Sequence, residues 1–139
     1  MAAKDIFHDT VRKALDKDGW TITHDMFHIK TEDGSEIVID LAAERVIIAE
    51  KDSEKIAVEI KSFLSLSAFY EFHTALGQFL NYREVLDEYE PQRILYLAVP
   101  IETYTTLFRR KMIQRVLLRY DVRLIIFDPE NEVIVSWQK

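Results

Sequence analysis

The sequence predicts one α/β domain over residues 1–139, a mixed β-sheet with helices packed on it. Three observations carry this reading. Segments with apolar residues at helical spacing interleave with short segments of strand-like alternation. The stretch Ile94-Leu95-Tyr96-Leu97-Ala98-Val99 is continuously apolar, the mark of a central strand covered on both faces. Only three Gly and three Pro occur in 139 residues, and no repeat, linker or low-complexity segment divides the chain.

Along the chain, residues 4–17 place Phe7, Val11, Ala14 and Leu15 on one helical face, and Asp18-Gly19 closes that helix. Residues 20–30 alternate as a strand, and the turn Glu32-Asp33-Gly34-Ser35 leads into a second strand over 36–40. Residues 46–49 and 56–60 flank the polar turn Lys51-Asp52-Ser53-Glu54 as a further hairpin. Ser67 is positioned to cap a helix over 68–86, with Phe72, Ala75, Leu76, Phe79, Tyr82, Val85 and Leu86 at helical spacing. After Glu90-Pro91 comes the apolar strand over 94–99, then a third helix over 102–119. A terminal hairpin over 122–127 and 133–137 turns at Asp128-Pro129-Glu130-Asn131.

Composition narrows the function classes. The absence of Cys removes disulfides, thiolate zinc sites and cysteine nucleophiles together. No apolar run is long enough to span a bilayer, and MAAKDIFHD has no signal-peptide h-region. Together these features predict a cytoplasmic protein with no membrane partner. Net charge is −6, which argues against general coating of nucleic acid. Yet residues 101–123 carry Arg109, Arg110, Lys111, Arg115, Arg119 and Arg123 against Glu102 and Asp121, a local +4, so the remainder sums to −10. Lys111, Arg115 and Arg119 recur every four residues as one stripe, a candidate surface for DNA phosphate or an acidic partner.

Chemistry concentrates at the end of the strand over 56–60. In Val58-Glu59-Ile60-Lys61-Ser62, alternation puts Glu59 and Lys61 on the face opposite Val58 and Ile60. A carboxylate beside an ammonium there suits phosphodiester hydrolysis: the acid holds a divalent metal, and the lysine orients the attacking water or stabilises developing charge. A second carboxylate is needed from a neighbouring strand, and Asp40 ends the apolar run Ile37-Val38-Ile39. The acid-x-Lys triplet arises readily by composition alone, so its weight comes from this context.

The order of helix, hairpin ending in Asp40, strand ending in Glu59-Ile60-Lys61 and long helix resembles the restriction-endonuclease-like superfamily, an α-β-β-β-α-β core. That resemblance implies Asp40 and Glu59 as ligands of Mg²⁺, with Mn²⁺ able to substitute, and Lys61 as a catalytic residue. It implies that Gln78, one helical turn before Tyr82, helps orient the site, with Tyr82 behind it. It also puts His8 where the superfamily usually has a Glu. Asp40 follows Ile39 where the superfamily's motif has Pro. The segments Asp5-Ile6-Phe7-His8-Asp9, Asp18-Gly19-Trp20-Thr21-Ile22-Thr23, Lys55 through Phe63, and Ala75-Leu76-Gly77-Gln78-Phe79 together resemble the XisH family over essentially the whole chain. These are small bacterial, mainly cyanobacterial, proteins described as controlling factors for fdxN element excision. The family implies a role in programmed DNA excision beside a recombinase and a XisI-like partner, and the superfamily includes homodimers whose two sites address two strands.

Plainer readings stand beside these. Asp40, Glu59 and Lys61 also fit a polar sheet edge with a surface ion pair worth at most about 1 kcal/mol. Gln78 and Tyr82 fit the polar margin of a helix. His8 shares a helical face with Asp5 and Arg12, which reads as an exposed charged face. Glu50, at a hairpin end, reads as solvated, His24 and His28 lack further zinc ligands, and Phe69-Tyr70 and Tyr104-Phe108 read as core or interface. Three functions follow: a metal-dependent nuclease, an inactive nuclease-fold factor that binds DNA or a XisI-like partner, and a small structural domain with no nucleic-acid role.

Overall fold

A computed structural model describes residues 4–47 and 52–139. Helix α1 (His8–Lys17) leads into three antiparallel strands, β1 (Thr21–Lys30), β2 (Glu36–Ile47) and β3 (Asp52–Ile60). Helix α2 (Ala68–Tyr89) crosses to β4 (Arg93–Pro100), which runs parallel to β3. Short helix α3 (Ile101–Thr105), a 3₁₀ turn (Leu107–Arg109) and α4 (Lys111–Arg119) cross to β5 (Leu124–Asp128), parallel to β4. Strand β6 (Val133–Gln138) returns antiparallel. All six strands form one mixed sheet in sequential order.

The sheet is covered on both faces. Phe72, Ala75, Phe79 and Leu86 of α2 and Ile113 and Leu117 of α4 pack with Leu95, Leu97 and Val99 on one side. Val11 and Leu15 of α1, with Trp20, pack with Tyr96, Ala98 and Ile125 on the other. The alternating residues of β4 therefore serve two cores, as its unbroken apolar sequence predicts; at its start, Ile94 is exposed. Ser67 caps α2, its hydroxyl accepting the Tyr70 N–H.

The observed elements differ from the predicted ones in two regions. The strands predicted over 36–40 and 46–49 are parts of the single strand β2, so Asp40 lies within a strand instead of ending one. Leu41, Ala42 and Ala43 are fully buried and no Gly or Pro interrupts them, so the ladder runs on. Of the predicted strand over 46–49, Ile48 and Ala49 lie outside the described residues, as do Glu50 and Lys51, and Asp52, Ser53 and Glu54 of the predicted turn open β3 instead.

The helix predicted over 102–119 is broken. The Thr105 hydroxyl donates to the Ile101 carbonyl at 3.1 Å, and that of Thr106 to the Glu102 carbonyl at 2.7 Å. This back-bonding competes with the helical ladder. The chain re-enters a helix only after Arg110, whose backbone is extended and whose guanidinium stacks 5.4 Å from the Phe69 ring centroid.

Phe79 is fully buried at the centre of the α2 face. Phe79→Ala is expected to lower the unfolding free energy by about 3–5 kcal/mol in urea denaturation, with no loss of secondary structure at low denaturant.

Candidate functional site

The candidate site is a fork in the sheet. Strands β2 and β3 pair as far as Leu41↔Val58 and then part. Beyond that point β2 continues with β1 (Ile39↔Phe27), while β3 continues with β4 (Glu59↔Leu97, Ile60↔Ala98). Alternation also slips here: Ile39 packs on the α2 side and Leu41 on the α1 side, with Asp40 between them. Backbone groups facing a gap need partners. The acids of the two strands supply them: Asp40 Oδ2 accepts the Ile60 N–H at 2.7 Å, and Glu59 Oε1 accepts the Asp40 N–H at 3.4 Å.

Around this pair the structure gathers most of the residues singled out in the sequence. Lys61 Nζ lies 3.9 Å from Glu59 Oε2, its side chain one-fifth exposed, while its backbone N–H donates to Ala98 O at 3.1 Å. His8 of α1 is buried, 1% exposed, against the expectation of a charged exposed face. Its Nε2 is 2.7 Å from Asp25 Oδ1, and its Nδ1 is 3.9 Å from Asp40 Oδ1 with no hydrogen-bond partner. Arg12, one turn on, also donates to Asp25. Tyr82 of α2 is close enough for both acids to raise its phenol pKa, after the larger effect of burial. Gln78 lies one turn before Tyr82, and its Oε1 is buried without a partner.

Asp5 and Asp25 belong to the site although no sequence motif singles them out. Asp5 Oδ1 accepts the Phe7 N–H and its Oδ2 the Ser62 N–H, both at 2.9 Å, so it joins the start of α1 to the chain just after Lys61. Burial pushes Asp25 up, but hydrogen bonds from Arg12 and His8 outweigh it and hold the carboxyl below its usual range. The signal for both lies in long-range pairing rather than in any local pattern.

The acids are strongly perturbed. Asp40 and Glu59 are 8% and 6% exposed. Burial pushes Glu59 up to about 8, the charge of Asp40 adds to it, and Lys61 opposes it. Burial likewise raises Asp40, against the stabilising Ile60 N–H bond. Burial and mutual repulsion both favour the protonated form of this pair. Two buried acids that repel each other are chemically suited to a cation. Their donors are hard oxygens, and Asp40 Oδ1 and Glu59 Oε2 accept no N–H among the described residues. Mg²⁺ is commonly held by one or two carboxylates with water completing its shell, so this donor set fits it.

The basic stripe stands apart. Lys111, Arg115 and Arg119 are exposed on α4 and form no ion pair among the described residues, and no contact links them to the acids. The helix break separates them from Arg109 and Arg110. His28 pairs with Glu36 at 3.1 Å and His24 contacts Thr23 at 3.0 Å. Among the described residues, no three His, Asp or Glu side chains already converge on a common point. Phe108 is fully buried and Tyr104 packs on the core, whereas Tyr70 is exposed.

The family model for XisH protein matches residues 1–135. The chain belongs to the XisH family. A crystal structure of an XisH family protein from Nostoc punctiforme PCC 73102 is 48% identical, with a TM-score of 0.87 over 97% of this chain and all of that one. The fdxN element excision controlling factor protein of Anabaena variabilis is 46% identical, with a TM-score of 0.88 over 98% of this chain and all of that one. No curated protein matches the chain. No described helix of this XisH chain is long and apolar enough to cross a membrane.

The raised acids set a pH dependence. Glu59 titrates near 4.5 when unfolded and near 8 when folded, so its contribution to stability is full below pH 4.5 and is lost as pH rises through 8. Metal-free protein is expected to lose a few kcal/mol of stability between about pH 5 and about pH 8.5, measured by urea midpoints. Glu59→Gln, which mimics the protonated acid and keeps the acceptor for Asp40, should flatten that slope.

Proposed function

We propose that this XisH-family chain acts in programmed excision of a DNA element as a restriction-endonuclease-like domain that attacks DNA phosphodiesters with a divalent metal. The observation that carries the proposal is the fork, where Asp40 and Glu59 meet across parted strands with Lys61 Nζ 3.9 Å from Glu59. The α-β-β-β-α-β order through β4 supports the superfamily reading, and the Anabaena variabilis relative, an fdxN element excision controlling factor protein, supports the role in excision.

Asp40 and Glu59 would hold Mg²⁺, or Mn²⁺ in its place, which supplies Lewis-acid stabilisation of charge on the phosphate. Ile60 N–H and Asp40 N–H fix the two carboxyl groups through one oxygen each and leave the other oxygen of each to bind. Lys61, partly exposed, holds the attacking water against the phosphorus and offsets the charge that develops on the phosphate oxygens. Gln78 orients that water or the phosphate through its unpaired carboxamide oxygen, and Tyr82 walls the site from the α2 side. Lys111, Arg115 and Arg119 provide a basic surface for the phosphates of flanking DNA or for docking an acidic face of the XisI-like partner. A homodimer would bring a second site to the second strand.

One observation favours a second reading, an inactive nuclease-fold factor that binds DNA or a XisI-like partner. Both acids already serve the backbone at the fork, so the fold uses them whether or not the chain cuts.

The test is conversion of supercoiled plasmid by pure protein in Mg²⁺ or Mn²⁺. Cleavage is expected, lost on chelation and reduced about 10²–10³-fold by Lys61→Ala. Unchanged activity in Lys61→Ala overturns its role. No cleavage, with a DNA or protein partner still bound by Glu59→Gln, selects the second reading.

A further inference from the structure

We infer that the loop from Lys61 to Ser67, with the apolar hollows beside it, docks a second copy of this chain. Leu64 and Leu66 of each copy enter the hollows of the other. This goes beyond the homodimer of the proposed function by naming the surface that joins the copies. It stands on that surface alone, whether or not the chain cuts DNA.

The loop holds its leucines outward by construction. The Ser62 N–H donates to Asp5 at 2.9 Å, the Ser65 hydroxyl donates to Glu71 at 3.0 Å, and Ser67 caps α2. Between them Phe63 turns its ring inward, edge-on to Phe108 at a centroid distance of 5.4 Å. Its backbone is left-handed, at φ 56°, a conformation that a bulky residue adopts only where its surroundings enforce it. Leu64 is left 63% exposed and Leu66 wholly exposed, on a loop tied at three points. Ile6 and Tyr70, also exposed, adjoin in sequence the hollow-lining Phe7 and Phe69 and widen the patch. Four such side chains expose on the order of several hundred Å², much of the apolar centre that an interface of about 800 Å² per partner needs.

The hollows lie outside the carboxyl ends of the parallel strands β3, β4 and β5. The first, of about 200 Å³, is walled by Pro100 and Pro129 where β4 and β5 end, and Leu64 borders it. The second, bordered by Leu66, shares Ala68, Thr106 and Leu107 with the first. Projection and hollow therefore sit side by side on one surface, as an isologous contact requires. With a two-fold axis between the hollows, the first of each copy faces the second of the other. Leu66 then enters the first hollow of the partner copy, which has room for a leucine side chain. Charge agrees with that register. Glu102 lines the first hollow and Arg110 the second, and neither has an ion-pair partner among the described residues. The same half turn sets Glu102 of each copy against Arg110 of the other. A partner of another kind would need only the hollows or only the leucines.

The test reads the oligomeric state of the full chain, not cleavage, so its failure leaves the metal-site reading standing. Sedimentation equilibrium of wild type at tens of micromolar is expected to give twice the 16.4 kDa of one chain. Leu66→Asp should raise the dissociation constant about tenfold or more, with circular dichroism unchanged because that side chain is wholly exposed. Leu118→Asp, also exposed but on α4 outside the patch, should leave the dimer intact. Glu102→Arg and Arg110→Glu should each weaken the dimer, and the two combined in one chain should restore it. The chain has no Cys, so cross-linking carries no background. A mixture of Leu66→Cys and Thr103→Cys, the latter in the first hollow, should give a disulfide-linked pair with a mild thiol oxidant. A wild type that stays monomeric overturns the inference, whether the patch then takes DNA or an unrelated protein. A dimer that survives Leu66→Asp, or a Cys mixture that yields no cross-linked pair, overturns it as well.

Discussion

The Ile60 N–H held 2.7 Å from Asp40 Oδ2 replaces a ladder hydrogen bond that the parted strands cannot make. With its counterpart from Asp40 N–H to Glu59, it lets β2 leave β3 without orphaning the main chain in a buried place. Everything else at the site depends on that parting. If the ladder continued past Leu41 and Val58, the acids would stand on a flat sheet surface and neither would reach the main chain of the facing strand. At the other end of the same strands Arg93 does the opposite. Its buried guanidinium donates to the Ile56 carbonyl at 3.0 Å and pairs with Glu90, so the sheet is held closed there.

The two faces of the sheet bring different chemistry to the fork. Helix α1, seated through Val11 and Leu15, delivers His8 with Asp25 and Arg12 behind it. Helix α2, seated through Phe72, Ala75 and Phe79, delivers Tyr82. Neither core alone completes the arrangement. The order of helix, three strands and crossover helix is the order in which those side chains are supplied.

Much of this arrangement is legible in the amino-acid order. Strand alternation places Glu59 and Lys61 on one face, and Asp40 follows from the need for a second acid nearby. The illegible part is non-local. Nothing in Ile37 through Ala43 announces that one strand serves two partners in succession, because register is decided by the facing strands. His8 reads as exposed because Asp5 and Arg12 share its helical face, yet Asp5 is tied to the distant Ser62 N–H, Arg12, itself exposed, to the distant Asp25, and His8 is buried. The basic helix reads as continuous because charge and apolar spacing ignore hydroxyls, and it is the hydroxyls of Thr105 and Thr106 that end it.

The fork has a consequence for how such chains can change over time. Asp40 and Glu59 terminate buried main-chain groups, so losing either acid costs the fold as well as any chemistry. On the proposed reading, a descendant that stopped acting on DNA would still be under pressure to retain both. The Lys61 side chain bonds to no backbone group among the described residues and stands partly in solvent, so it is free to drift once its charge is no longer needed. Within this architecture the lysine, more than the acids, records whether chemistry is still being selected.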